Sequence, residues 1–150
     1  MSKSTDISVT PTITAGAYSA GDALGGLLTF TSAASVYKGD GKITKVVISD
    51  NAKQAAHLAL ALFDRTFTAM VDNAAWDPSD ADNLNCLGVI DIPIANYGPG
   101  VDNNVAYVEC DFNFALVAGG TSLFGQLYII TSTPTYAAVN DIQVTITVNR

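Results

Sequence analysis

The sequence predicts an all-β fold, an antiparallel two-sheet β-sandwich with at most one short helical insertion. Three observations carry this expectation. Short apolar segments recur along the 150 residues, with turn residues between them. The last of them, Ile142 to Val148, is strictly alternating: Ile142, Val144, Ile146 and Val148 interleave with Gln143, Thr145 and Thr147. Period two gives one wet and one dry face, whereas a helix would scatter these positions around its circumference. Finally, of the 14 acids all but Glu109 are Asp, a residue of turns and caps, and Thr, Val, Ile, Tyr and Phe are plentiful.

Taken in order, Ile7 to Thr14 alternates but contains Pro11, which marks an edge strand or a bend. Ala23 to Thr31 is a strand with a bulge at Gly25-Gly26. Ser32 to Tyr37 and Ile43 to Ser49 flank Gly39-Asp40-Gly41, the signal of a hairpin. The segment from Ala52 to Asp64 is rich in Ala and Leu and suits either a helix or a strand covered on both faces. We read His57 to Asp64 as the covered strand. Pro78-Ser79-Asp80-Ala81-Asp82 begins a short helix, with acids in its first turn and Leu84 packed inward. Leu87 to Ile92, Val105 to Phe114 and Ser122 to Thr131 are further strands. A surface loop is expected at Gly98-Pro99-Gly100 through Asn104 and a turn at Ala118-Gly119-Gly120. Eight or nine strands suit a sandwich with a jelly roll as the leading topology and an immunoglobulin-like arrangement as the runner-up. Residues 1–6 are polar and are expected to form a flexible N-terminal arm, leaving 7–150 as a single β-sandwich domain.

Composition narrows the function. Hydrophobic residues are 49% of the chain, enough for a full core, and charged residues only 14%, which argues against disorder. The net charge of −7 argues against nucleic acid, whose phosphates need a basic face. No apolar run approaches a membrane span and no signal peptide is visible, so the expectation is a soluble protein made in a cytoplasm.

Residues that carry chemistry are few. His57 is the single histidine, with no acid beside it in sequence, and reads as a surface or sheet-end side chain. Cys86 and Cys110 lack CxxC spacing and read as free, buried small hydrophobes, with a disulfide as the alternative. Asp72, Asp77, Asp80 and Asp82 form a loop cluster without the EF-hand pattern. Capping explains them, and calcium is the alternative. Glycoside cleavage by a carboxylate pair would fall to Asp residues and Glu109, and no spacing supports it. None of the glycine pairs forms a phosphate-binding motif. The tyrosines, with Trp76, read as packing and interface residues rather than a sugar platform. We expect no catalytic, cofactor-binding or metal site, and no enzyme.

Several blocks carry a resemblance: Ala17-Tyr-Ser-Ala-Gly-Asp-Ala-Leu-Gly-Gly-Leu-Leu-Thr-Phe30, Leu60-Ala-Leu-Phe-Asp64, the run from Asp72 to Asp82, Ser122-Leu-Phe-Gly-Gln-Leu127, Thr133-Pro-Thr-Tyr136 and Asp141-Ile-Gln-Val144. In this order they resemble a family of small proteins encoded by tailed bacteriophages, commonly near the capsid genes. The resemblance implies a virion component, and small decoration or cement proteins of such phages often have jelly-roll folds. It assigns no functional residue. It implies a structural protein on the capsid surface, binding across subunits of the major capsid protein in multiple copies or as a homo-oligomer. From charge and hydropathy, no nucleic acid or membrane partner is expected. The alternatives are a head- or tail-fibre-type protein and a carbohydrate-binding module.

Overall fold

Two antiparallel sheets pack face to face in the computed structural model, which describes residues 4–150. The strands are β1 (Ser4–Val9), β2 (Ala23–Phe30), β3 (Asp40–Asp50), β4 (Leu58–Phe63), β5 (Cys86–Ile92), β6 (Tyr97–Pro99), β7 (Asn104–Ala115), β8 (Leu123–Ile129) and β9 (Ile142–Asn149). One sheet has the order β1-β9-β3-β7-β6 and the other β2-β8-β4-β5. The all-β two-sheet expectation holds. The pairing is nested: β1 with β9, β2 with β8, β3 with β7, and β4 with β5.

Alternation places the core. Ile142, Val144, Ile146 and Val148 of β9 are fully buried, as are Ile43 and Ile48 of β3, and they meet Leu58, Leu60 and Leu62 of β4. Every residue of β4 is buried, as the covered-strand reading expects. Its second face, Ala61 and Phe63, lies under Phe67, Ala69 and Trp76 of the long connection from β4 to β5. The Phe63 and Phe67 rings stack at 3.8 Å. This connection, 64–85, is a strap over the outer face of the smaller sheet. It contains α1 (Asp80–Asn83), with Ser79 accepting from the Asp82 N–H as its N-cap. Among the described residues, no helix is long and apolar enough to cross a membrane.

Gly25 explains the β2 bulge. Its φ is +77°, and a Cβ there would stand 2.6 Å from Pro11 Cβ, so only glycine fits without displacing the β1–β2 segment. The β2–β8 register shifts between Leu24 and Leu28 as a result.

Five expectations need correction. Residues 1–3 lie outside the described residues, but Ser4, Thr5 and Asp6 of the expected arm are paired with Asn149, Val148 and Thr147. The 32–37 segment is not a strand: Ala33 and Ala34 are buried where the chain crosses between sheets, and the tight turn is closed by Gly39 N–H on Ser35 O at 2.7 Å. The Asp-Gly signal therefore marks a crossover between sheets and not a hairpin. Leu84 is 86% exposed, because a one-turn helix on the outside of the strap has no inward face. Tyr97–Pro99, partly read as loop, is an edge strand, where a missing N–H is tolerated. Both cysteines are free, as read, but half-buried rather than buried.

Candidate functional site

The residues with chemical potential are dispersed. His57 precedes β4, and its Nε2 lies 2.6 Å from Asp91 Oδ1 on the neighbouring strand β5. Sequence adjacency hid this partner, because strand pairing supplies it: Leu58 stands opposite Ile92. Thr131 Oγ1 is 3.4 Å from Nδ1, and the Ser132 hydroxyl accepts from the His57 backbone N–H. This network ties the start of β4 to the β8–β9 loop. Two surface grooves lined in part by Arg150 do not include it.

Cys86 packs in the strap cluster, and Cys110 packs against the main core. Burial pushes the Cys110 thiol up from its ordinary value, with Asp111 adding to the rise, so it is a poor nucleophile. On the outer face of β7, Glu109 accepts from the Tyr107 hydroxyl.

The Asp72–Asp82 cluster is spread by the strap. Asp72 accepts from Thr14 Oγ1, Tyr18 OH and Gly25 N–H, each at 2.6 Å. Asp82 accepts from the Thr68 N–H at 3.1 Å, while Asp77 and Asp80 are exposed. Among the described residues no three His, Cys, Asp or Glu side chains converge as metal ligands. Asp72 and Asp82 act as hydrogen-bond anchors. Sequence reading missed a second anchor, Gln126, which is fully buried. Its amide donates to Gly25 O at 2.7 Å and Met70 O at 2.8 Å and accepts from Met70 N–H at 2.9 Å. A polar residue within the apolar run Leu123 to Ile129 is the signal that marks it.

Trp76 stacks on Tyr128 at 4.9 Å, with their planes 2° apart, so one indole face is occupied. Burial, and the hydrogen bond to Asp72, raise the Tyr18 phenol from 10.0 to about 12. A raised folded value favours folding fully below pH 10, and the contribution is lost as pH rises through about 12. We expect the 295 nm absorbance titration to contain a component near pH 12 that Tyr18→Phe removes. Loss of only a component near the ordinary tyrosine value would contradict this environment.

The surface itself is the remaining candidate. At one end lie the crossover 31–39, the β7–β8 loop and both ends of the strap, joined by Leu116 N–H on Gly39 O and Val117 N–H on Asp64 O. This end exposes Val36, Tyr37, Leu84 and Val117, and carries Lys38, Lys42, Arg65 and Arg150. An open groove of about 460 Å³ lies beside it, lined by Lys42, Asn113, Phe114 and Arg150 among others. At the opposite end, the loops 10–22, 51–57, 93–103 and 130–141 expose Ile94, Val101 and Val139. Those loops hold Asp22, Asp102 and Asp141, with Lys53 the one cation in them among the described residues. Charge is mixed at both ends, since Asp40 and Asp64 stand among the cations of the first end, where Arg65 pairs with Asp64 and Lys42 with Asp111. What the two ends share is an exposed apolar patch.

Compared with known proteins, the chain matches no family model and no curated protein.

Proposed function

We propose that the chain is a structural decoration or cement protein of a tailed-phage particle, with a jelly-roll fold. The nested strand pairing carries this reading. With the three-residue β6 set aside, eight strands pair first with last, second with seventh, third with sixth and fourth with fifth. A long hairpin rolled into two sheets has this order, and capsid and lectin domains use it. The resemblance of the sequence blocks to small phage proteins favours the virion over the lectin reading. The occupied face of Trp76 also weakens the carbohydrate-binding alternative.

Apolar patches at both ends of the strands support a role in straddling neighbouring subunits. Each contact alone is weak, and the second forms at high effective concentration, so the pair gains on the order of 10²–10⁴ in avidity. The role needs no catalysis, nucleic acid or membrane. The test mixes purified protein with undecorated expanded shells and, separately, with free capsid subunits, then sediments both. Binding to shells far above binding to subunits is expected, falling only partly as salt screens the contacts of a chain with net charge −7. Equal binding to both would remove the cement role.

A further inference from the structure

The side of β7 away from β3 is only partly used. β6 covers it at Asn104, Val105 and Ala106, and Asn96 Nδ2 then donates to Tyr107 O at 2.9 Å. Below that point β7 continues to Ala115, paired with β3 alone among the described residues. Backbone groups alternate sides along a strand. The side chains of β7 keep their alternation from Val105 to Ala115 through the register shift opposite Ile43 to Lys45, and Leu116 N–H turns to Gly39 O just before β3. The N–H and C=O groups of Glu109, Asp111, Asn113 and Ala115, like Tyr107 O, therefore point away from β3. No backbone partner meets them among the described residues.

We propose that this edge accepts an added strand from a partner, an extended segment that alternates apolar residues with Lys or Arg. The chemistry of β7 selects this occupant. On its outer face Glu109 and Asp111 are exposed. From β3, Lys42 already meets Asp111, and Lys45 stands opposite Glu109 in register. From the open side no ion pair reaches either acid among the described residues. A carboxylate has acceptor sites for both sides. The inner face of β7 presents half-buried Cys110 and Phe112 and buried Phe114, so alternate positions of the added strand meet apolar surface.

A second copy of β7 is a poorer match. Antiparallel self-pairing centred on Phe112 faces Asp111 with Asn113 and brings no cation to either acid, and centred on Cys110 or Asp111 it sets Glu109 opposite Asp111 or Asp111 against itself. Like charges directly opposite are destabilising, which is how an edge strand avoids its own kind. Main-chain bonds would give the affinity and the alternating side chains the selectivity. The inference holds whether or not the partner belongs to a capsid.

Amide hydrogen exchange on the ¹⁵N-labelled full chain tests it. The probes are an end-blocked octapeptide alternating Val and Lys, and its Val and Glu counterpart. With the Lys peptide in about tenfold excess over its Kd, exchange at Glu109, Asp111 and Asn113 is expected to slow by about tenfold. Val108 and Phe112, whose register partners on β3 are Val46 and Ile43, stay unchanged, and the Glu peptide has no effect. Asn113→Pro removes one outward donor without touching a β3 bond and abolishes the protection. If that variant fails to fold, Glu109→Lys with Asp111→Lys gives the second reading: preference switches to the Glu peptide. Equal protection by both peptides, no protection at millimolar peptide, or protection that survives Asn113→Pro overturns the proposal.

Discussion

Replacing Leu60 with alanine is expected to lower the unfolding free energy by about 2–5 kcal/mol, the range for buried Leu-to-Ala truncations. Leu60 is fully buried in β4, opposite Leu127 of β8 on one side and Ile90 of β5 on the other. The strap closes the far face of the strand, so the surroundings have little freedom to collapse into the space. For a domain of this size the melting temperature falls by roughly 5–15 °C. Val139→Ala, at an exposed site, is the control and shifts stability by about 0.5 kcal/mol or less. A loss below about 1 kcal/mol at Leu60 would place β4 outside the core.

Gln126→Leu is expected to cost about 3–5 kcal/mol, although it keeps the volume and adds apolar surface. The substitution leaves Met70 N–H, Met70 O and Gly25 O without their partner. Each buried group left unpaired costs about 1–3 kcal/mol, and some of that is recovered by water where the strap loosens. The strap should therefore become a site of protease cleavage within 64–79 before the sheets unfold. Denaturant titration and limited proteolysis, run side by side, check both parts. Unchanged stability with a protease-resistant strap would mean that Asp72 and the aromatic stack hold the strap without Gln126.

The two-sheet architecture was legible in the sequence wherever one face is wet. The alternation from Ile142 to Val148 places β9 correctly, and its burial follows the same phase. β4 was legible for a different reason: six consecutive apolar residues suit a strand covered on both sides. What covers the second face was not legible, because Phe67 and Trp76 sit in a connection with no periodicity. The crossover at 31–39 misled for a related reason. A Gly-Asp-Gly turn reports a reversal of the chain, and not which sheet receives the next strand. The His57–Asp91 contact and the Gln126 anchor depend on pairing between distant segments, which one sequence does not reveal. Asp72 was visible as an acid in a loop, but its three donors come from the β1–β2 segment and β2.

A cryo-electron microscopy map of the phage particle that carries this chain tests the central claim most directly. The account predicts density for a nine-stranded sandwich on the outer surface of the shell, repeated with the lattice, each copy touching two neighbouring capsid subunits. A sandwich found only on the tail or a fibre, or one seated within a single capsid subunit, would contradict the cement role.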